Sequence, residues 1–406
     1  MSVSRRLPFL GMSGLVLLVL GGGCRVAAPE AALKPIDIAP MPVVADRVIE
    51  TSIELPMEFV GGLVVVEARG DDGPWRFLID TGSSTCLVSP EYAIRHLRKP
   101  VDPTAPKVWL RDATGRAAAA ESVLLDRIDF GAANFQNVRA LVFDCREISD
   151  HLGMQIDGVL GFSLFSNARL TLDYPSRKVI MSSLDDETPL RGSILPFTSH
   201  NDVPMIQITL DNRSLIALID TGSDGGLTLD PAGLNLNFAS PPRRGTLVGT
   251  LYGDHEQIAA RLAHTVHLSN HKIVNPIVDL SGTMTSLGGE VLNEFEVTFD
   301  QSRGLVAFYR PSHDMLLFTP PKLSSGLSFK KFRAYWKITD IAPNSPAQTA
   351  GLARGDLVIR INNEPVESWT LSRFRELVDA GGTINYTLIK GQDELTYPVK
   401  VFTLVP

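Results

Sequence analysis

The hexapeptide Leu-Ile-Asp-Thr-Gly-Ser occurs twice in this 406-residue chain, at residues 78–83 and 218–223. From ordinary residue usage, even the tetrapeptide Asp-Thr-Gly-Ser arises by chance in roughly one chain in 200 of this length, so a second copy of the hexapeptide is not accidental. Each copy places an aspartate, Asp80 or Asp220, at the end of an apolar run. A carboxylate there is costly unless it is paired or used in chemistry. The two matched acids therefore predict one site built from two halves.

Two carboxylates brought together can perform general acid–base catalysis. At a separation of about 3 Å, two unit charges repel by about 5 kcal/mol at an effective dielectric constant of about 20, so both acids cannot ionise. The pair then holds one proton, which makes one member a base and the other an acid. Because the two pKa values belong to the pair, the two roles are not assigned to individual residues.

The elements that must position these acids also come in two copies. A turn pattern lies about 33 positions after each aspartate, at residues 112–115 and 252–254. Each half then gives an apolar-apolar-Gly segment, at 159–161 and, with a serine in the first place, at 286–288. The intervening segments are short, alternating and broken by Gly, Asn and Pro. The fold class is therefore predicted as mostly β.

The pattern changes after residue 310, where a proline-rich segment is followed by a third domain with strands and an amphipathic helix near residues 371–378. The predicted divisions are a signal peptide (1–24), a flexible tether (25–50), a first β lobe (51–190), a second β lobe (191–311), a linker (312–324) and a C-terminal α+β domain (325–406).

Two known families share these motifs. The paired Asp-Thr-Gly-Ser elements, each followed by an apolar-apolar-Gly element, resemble those of pepsin-like and retropepsin-like aspartic proteases over residues 51–311. The C-terminal region resembles a PDZ domain, with Gly326-Leu327-Ser328-Phe329 in the place of that family's carboxylate-binding loop. The resemblance implies two pseudo-twofold β lobes of the acid-protease fold, followed by a PDZ domain. Because both lobes lie in one chain, a monomer is expected to suffice for catalysis.

The protease resemblance implies that Asp80 and Asp220 form a catalytic dyad that activates water for peptide hydrolysis. In each motif the glycine would let backbone amides approach the carboxylates, and the threonine would hydrogen-bond across the pseudo-twofold axis. The serine would hydrogen-bond the outer oxygen of the acid. These supporting residues are Thr81, Gly82, Ser83, Thr221, Gly222 and Ser223. No cofactor is expected.

The flaps over such a site are predicted from the repeated turn pattern. Pepsin-like enzymes use one flap, which usually carries a tyrosine, whereas two turn patterns favour two flaps, as in the retroviral enzymes. The first flap would carry Trp109 beside Asp112 and Gly115, and the second would carry Tyr252 and Gly253.

The PDZ resemblance implies capture of a C-terminal peptide. Three backbone amides of the loop would receive the terminal carboxylate, and apolar side chains of the loop and of the following helix would hold the last side chain. The predicted groove residues are Gly326, Leu327, Ser328, Phe329, Phe374 and Leu377.

The N-terminus resembles a bacterial lipoprotein signal. Two arginines precede an apolar stretch, residues 7–20, that is too short to span a bilayer comfortably, and three glycines lead to Cys24. The resemblance implies that Cys24 is acylated and anchors the protein to a membrane in the periplasm. Arg25, rather than an aspartate, follows it and favours the outer membrane. The alternative is a signal peptide cleaved nearby, which gives a soluble periplasmic protein.

Composition limits the remaining possibilities. A net charge of −7 and a pI near 5.7 argue against nucleic acid as a partner. No run of eighteen or more apolar residues follows residue 24, so no later transmembrane helix is predicted. The sequence holds no metal-site motif, and no metal is expected. Cys86 and Cys145 either form a disulfide in an oxidising compartment or stay as buried thiols, and the sequence leaves both open.

The predicted function is an aspartic endopeptidase that hydrolyses peptide bonds of envelope proteins and uses its PDZ domain to select substrates or adaptors. The alternative is a catalytically silent, membrane-anchored scaffold that binds peptides through the PDZ domain. Cleavage of an unfolded protein, lost on changing Asp80, separates the two hypotheses.

Overall fold

The structure is a computed structural model that describes residues 46–49, 52–71, 73–98, 107–112, 115–200, 202–250, 253–282, 284–312 and 314–406. The predicted signal peptide with Cys24, most of the predicted tether, and Tyr252 lie outside the described residues. The last part of the predicted tether forms a strand rather than a free segment, because residues 46–49 pair with residues 133–136.

The first half of the duplicated region is built almost entirely of short strands. In chain order its elements are β1 (Asp46–Ile49), β2 (Ile53–Pro56), β3 (Glu58–Val60), β4 (Leu63–Ala68), β5 (Trp75–Asp80), β6 (Cys86–Val88), α1 (Pro90–His96), β7 (Val108–Arg111), β8 (Ala117–Ala120), β9 (Ser122–Asp129), β10 (Ala133–Val142), α2 (Arg146–Leu152), β11 (Gly158–Gly161), a 3-10 helix (Phe162–Phe165), β12 (Arg169–Asp173) and β13 (Lys178–Ser182).

The sheet of the first lobe runs in the order β1-β10-β6-β11-β5-β4-β3, with β9 beside β10. Strand β5 lies inside this sheet, parallel to β11 and antiparallel to β4. Its last four residues are buried, which explains why the sequence there is a continuous apolar run rather than an alternating one. The two faces of the sheet pack into two separate apolar clusters.

The second half repeats this plan. Its elements are β14 (Ser193–His200), β15 (Val203–Leu210), β16 (Arg213–Ile219), β17 (Leu227–Thr228), β18 (Phe238–Thr250), β19 (Gly253–Leu262), β20 (Thr265–Leu268), β21 (His271–Val274), β22 (Ile277–Asp279), β23 (Ser286–Leu287), α3 (Gly289–Leu292), β24 (Glu296–Asp300), β25 (Leu305–Tyr309) and β26 (Leu316–Phe318).

One sheet joins the two halves. It includes the path β14-β25-β24-β12-β13-β2, in which β12 and β13 come from the first half and β24 and β25 are their repeats in the second. At the junction β12 and β24 are antiparallel, and Thr171 and Thr298 face each other with their hydroxyls 2.9 Å apart. The repeated strand-turn-strand units therefore meet each other directly and fix the two halves as a pseudo-symmetric pair.

The C-terminal domain is α+β. Its elements are β27 (Lys322–Ser324), β28 (Leu327–Lys331), β29 (Trp336–Ile341), α4 (Pro346–Thr349), β30 (Leu357–Ile361), β31 (Glu364–Pro365), a 3-10 helix (Val366–Ser368), α5 (Leu371–Asp379), β32 (Thr383–Lys390), β33 (Asp393–Lys400) and β34 (Phe402–Val405).

The main C-terminal sheet has the order β28-β29-β30-β32-β33, which leaves β28 at an edge. Thr370 caps α5 by accepting a hydrogen bond from the amide of Arg373. The predicted linker, 312–324, is not free of regular structure, because β26 pairs with β21 of the second lobe and β27 pairs with β34. Among the described residues, no helix is long and apolar enough to cross a bilayer.

Candidate active site

The two hexapeptides occupy equivalent places in the two lobes. Asp80 is the last residue of β5, and Asp220 directly follows β16. Each strand is paired in parallel with the apolar-apolar-Gly element of its own lobe, β11 in the first and β23 in the second. Both aspartates are therefore presented where a buried strand ends.

The two carboxylates face each other across the lobe boundary. A β-carbon added to Gly82 would lie 2.6 Å from Oδ1 of Asp220, and one added to Gly222 would lie 2.5 Å from Oδ1 of Asp80. Only glycine fits at either position, because each glycine lies against the acid of the opposite lobe. The close approach of the two halves thus explains why each motif needs a glycine at this position.

The two threonines connect the lobes by a reciprocal set of buried hydrogen bonds. The hydroxyl of Thr81 donates to the carbonyl of Ile219 at 2.6 Å, and that of Thr221 donates to the carbonyl of Ile79 at 2.7 Å. Each hydroxyl also accepts from the backbone amide of the other threonine, at 3.1 and 2.9 Å. These four bonds hold the two strand ends at a fixed separation.

Each acid is bound on one side only. The amide of Gly82 donates to Oδ1 of Asp80 at 2.8 Å, and the amide of Gly222 donates to Oδ1 of Asp220 at 3.0 Å. Oδ2 of each acid is buried and has no hydrogen-bond partner among the described residues. These two oxygens are the ones that remain for a water molecule or a substrate.

Burial sets the protonation of the pair. Complete burial, followed by the charge of Asp220, raises the pKa of Asp80 well above the usual range of an aspartate, while the amides of Gly82 and Ser83 lower it by less. Burial likewise raises the pKa of Asp220, against the opposing amides of Gly222 and Ser223. A pair in which both pKa values are raised holds a proton well above pH 4, as an acid–base dyad requires.

The predicted role of the two serines is wrong. The hydroxyl of Ser83 donates to the carbonyl of Thr85 at 2.7 Å instead of to Asp80, and that of Ser223 accepts from the amide of Gly225 at 3.4 Å. Each hydroxyl is used by the turn that follows its own motif, where a short side chain readily bonds the nearby backbone.

The serine carbonyls, rather than the hydroxyls, link each motif to its apolar-apolar-Gly element. The carbonyl of Ser83 accepts from the amide of Phe162 at 2.8 Å, and that of Ser223 accepts from the amide of Gly289 at the same distance. The motif and the element that follows the repeated glycine are therefore tied together in the same way in both lobes.

Hairpins stand at both predicted flap positions. The first is β7–β8, and the second is the long hairpin β18–β19. Their tips meet, because the hydroxyl of Thr250 donates to Oδ2 of Asp112 at 3.0 Å and the guanidinium of Arg116 donates to the carbonyl of Asp254 at 3.4 Å. Asp112 is buried at this contact, whereas Trp109 is 52% exposed on β7.

Gly115 and Gly253 complete the described parts of the two tips. Gly115 closes the first turn by donating to the carbonyl of Asp112 at 3.0 Å, and Gly253 opens β19 opposite Thr250. The use of these hairpins as flaps stays a prediction.

A cavity of about 370 Å³ extends from the Asp220 motif toward the C-terminal domain. Its wall begins at Gly222 and Ser223, follows the second hairpin at Leu247, and ends at Phe329 and Phe374. This continuity could not be predicted, because hydrophobic periodicity indicates which side chains are buried and not which domain covers them.

The predicted groove residues of the C-terminal domain come together. The rings of Phe329 on β28 and Phe374 on α5 are 5.5 Å apart in an edge-on arrangement. Leu327 is buried in the core of the domain, and Leu377 packs against that core. Gly326 has a positive φ of 77°, and its carbonyl accepts from the amide of Ala342 at 2.9 Å. Ser328, by contrast, turns away from this core toward the second hairpin, where its hydroxyl donates to the carbonyl of Leu247 at 3.0 Å.

Three residues near the dyad were not singled out by the sequence: Asp224, Glu290 and Arg375. Asp224 directly follows the second motif, and its charge adds to the raised pKa of Asp220. Arg375 of α5 donates to the carbonyl of Gly61 at 3.0 Å and lies 3.4 Å from Glu290 of α3. An arginine on the polar side of an amphipathic helix gives no signal of such a contact.

Both cysteines of the described region are buried free thiols, so no disulfide joins Cys86 to Cys145. Burial raises the pKa of each thiol to about 12. Across the described ranges, His, Cys, Asp and Glu form no group of three that could hold a metal ion.

Comparison with known proteins identifies both regions. Residues 65–164 match the aspartyl protease family, and residues 337–390 match the PDZ domain family. The chain therefore carries an aspartyl protease domain and a C-terminal PDZ domain, as predicted. No curated protein matches the chain.

Solved structures similar to the chain include the HtrA3 PDZ domain bound to a phage-derived ligand (FGRWV), with 20% identity over 20% of this chain and 88% of that chain and a TM-score of 0.18. A PDZ domain protein from Parabacteroides distasonis is 18% identical over 21% of this chain and 21% of that chain, with a TM-score of 0.19. The assignment of the two domains rests on the family models.

Proposed function

We propose that this protein is an aspartic endopeptidase in which Asp80 and Asp220 form the catalytic dyad. The observation that carries the proposal is the pair of fully buried carboxylates, each lying against the glycine of the opposite motif. A structural pair of acids would be expected to have its oxygens satisfied, since unpaired buried polar groups are costly. Here one oxygen of each acid stays without a partner in the described part of the chain.

The mechanism follows from the shared proton. The ionised carboxylate takes a proton from water as the water oxygen attacks the peptide carbonyl, and the protonated carboxyl gives its proton to the carbonyl oxygen. When the tetrahedral species breaks down, its carbon–nitrogen bond breaks as one carboxyl gives a proton to the leaving nitrogen, and the other carboxylate takes a proton from a hydroxyl of the tetrahedral carbon. The dyad then holds one proton again, as at the start. The threonine bonds fix the separation of the two acids, which keeps both within reach of the same water.

The proposal extends to the place and the choice of substrates. The lipoprotein-like signal supports anchoring through Cys24 in the periplasm, with the outer membrane favoured, and so supports substrates among envelope proteins. The PDZ domain supports selection of substrates or adaptors by a C-terminal peptide. Two motifs in one chain support catalysis by a monomer.

The test is to replace each acid separately by asparagine and to measure cleavage of an unfolded protein by mass spectrometry. Asp80→Asn and Asp220→Asn are each expected to abolish cleavage, because an amide serves neither as base nor as reversible acid. Asp173→Asn is a matched control, since Asp173 accepts from the amide of Ser176 at 2.9 Å in a turn away from the dyad. General acid–base groups contribute roughly 10²–10⁴ in rate, so more than about 1% residual activity in either dyad variant would refute the assignment.

The alternative function, a silent scaffold, makes the opposite prediction for the unaltered protein. It would bind C-terminal peptides and cleave none of them. The same experiment therefore separates the two functions without further variants.

A further inference from the structure

The PDZ domain is fixed against both protease lobes. Besides the contacts of Arg375, the guanidinium of Arg243 donates to the carbonyl of Leu404 at 3.3 Å, and Arg244 lies 3.5 Å from Asp340. Apolar contacts follow the same boundary: Leu404 and Val405 of β34 form a buried cluster with Ala259 of β19. The orientation of the PDZ domain is thus set by polar and apolar contacts together.

This orientation directs the peptide-binding edge toward the protease. In the described residues β28 pairs with β29 on one side only, so its other edge has no strand partner there. On the outward face of β28, Ser328 donates to the carbonyl of Leu247 in the second hairpin. Two residues on, Lys330 lies 3.5 Å from Asp150 of α2. The strand therefore lies between the second hairpin and α2.

The space beside this edge is the cavity that begins at the Asp220 motif. The PDZ side of its wall includes Leu327, Phe329 and Phe374, and the protease side includes Leu152 and Val248. A volume of about 370 Å³ is within the usual range of ligand sites, about 300–1,000 Å³. A peptide bound against β28 would lie inside this cavity and not on an outer surface.

The second hairpin runs between the PDZ domain and the first hairpin. Leu247 of β18 contacts β28 of the PDZ domain. Thr250, at the end of β18, contacts the first hairpin. Three residues of an extended strand span about 10 Å. A peptide that runs beside β18 therefore needs only a few residues to pass from the PDZ loop to the region between the two hairpins.

We propose that the PDZ groove and the dyad bind the same polypeptide, so that the enzyme cuts unfolded C-terminal tails at a short, fixed distance from a free α-carboxylate. This inference rests on the proposed function and specifies its substrate class. The PDZ loop holds the carboxylate, β28 pairs with the last residues, and the segment just upstream passes the Asp220 motif. The reaction is ordinary amide hydrolysis by the dyad, and it releases a short C-terminal peptide.

The experiment uses the intact protein and a set of unstructured peptides with one common C-terminal sequence. Each peptide is made with a free carboxylate and with a carboxamide, and the N-terminal side is varied in length and sequence. We expect kcat/KM to be at least about tenfold higher for the free acid, because hydrogen bonds to an ionised carboxylate are stronger than those to a neutral carboxamide. The cleavage site should keep the same distance from the C-terminus in every peptide.

A second measurement separates a shared cavity from two independent sites. The short C-terminal product, added as a free acid, should inhibit competitively and raise KM without lowering kcat. Activation by that product would mean that the groove takes a separate adaptor and would overturn the inference. Equal cleavage of acid and amide peptides would also overturn it while leaving the endopeptidase intact. Absence of cleavage of any peptide would instead contradict the proposed function itself.

Discussion

The reciprocal threonine bonds give a prediction with a matched control. Thr81→Val keeps the shape of the side chain but removes the hydroxyl that donates to Ile219 and accepts from the amide of Thr221. Both partners lie in the buried centre of the molecule, where Ile219 is 0% and Thr221 is 1% exposed. Water therefore cannot replace the lost bonds without opening the contact between the lobes.

The size of the effect follows from the two groups left unpaired. A buried donor or acceptor without a partner costs about 1–3 kcal/mol, so Thr81→Val, which leaves two of them, should lower the free energy of unfolding by about 2–6 kcal/mol. Thr81→Ser retains the hydroxyl and loses one methyl group, which should cost only about 1 kcal/mol. Small displacements of catalytic groups can cost about 10² in rate, so Thr81→Val should also reduce kcat strongly, whereas Thr81→Ser should stay close to the unaltered enzyme.

The assay is urea unfolding followed by both circular dichroism and tryptophan fluorescence, together with kcat and KM for one peptide. Two probes are needed because a chain with more than one domain need not unfold in a single step. If the valine and serine variants had the same stability and the same kcat, the threonine hydroxyls would not hold the lobes together. A loss confined to KM would place their role in substrate binding instead.

Three further predictions concern Asp220, the buried Arg169–Asp300 pair and Cys24. Because burial raises the pKa of Asp220 in the folded protein, the stability that its protonated carboxyl contributes at low pH is lost as the pH rises through the folded-state pKa. Asp220→Asn should therefore be more stable than the unaltered protein at pH 8 but not at pH 4. An equal difference in urea midpoints at the two pH values would contradict this prediction. Arg169 lies 3.4 Å from Asp300 with both side chains almost fully buried, so Arg169→Met should cost about 3–5 kcal/mol in unfolding experiments. Arg303→Met, which removes an exposed partner of the same aspartate, should cost no more than about 1 kcal/mol, and equal losses would show that burial does not decide the effect. Cys24→Ser should move the protein from the membrane fraction to the soluble periplasmic fraction or leave it unprocessed, and unchanged fractionation would refute the lipid anchor.

The paired motif could be predicted because its information is local and duplicated. An apolar run that ends in Asp-Thr-Gly predicts a buried strand followed by a tight turn, and two copies predict two such ends. The glycine is needed at each end because the acid of the other lobe occupies the place of its side chain. The α5 helix was predicted within a residue of its observed start and end for a similar reason, since its apolar spacing is a local property.

The features that the sequence did not predict are of two kinds. Some depend on which of two nearby groups a side chain bonds, and others depend on contacts between segments that are distant in sequence. A serine hydroxyl beside a carboxylate can bond either the acid or the following turn, and only the backbone path decides that Ser83 bonds Thr85. The strands inside the predicted linker form because their partners, β21 and β34, lie elsewhere in the sequence. Proline-rich composition indicates a connection between domains but does not exclude pairing at the edge of a sheet.

The position of the PDZ domain beside the second Asp-Thr-Gly-Ser motif is the least predictable feature of the structure and the one with the largest consequence. Arg375 reaches the carbonyl of Gly61, 314 positions away in sequence, and also approaches Glu290. Gly62, next to Gly61, in turn lies so close to Asp224 that an added β-carbon would be 2.9 Å from its carbonyl oxygen. One contact chain thus runs from α5 of the PDZ domain to the residue that follows the second Asp-Thr-Gly-Ser motif. With the PDZ domain packed in this way, Phe329 and Phe374 line the same cavity as Gly222 and Ser223 of that motif, and this shared cavity supports the proposal that the PDZ ligand and the substrate are one peptide.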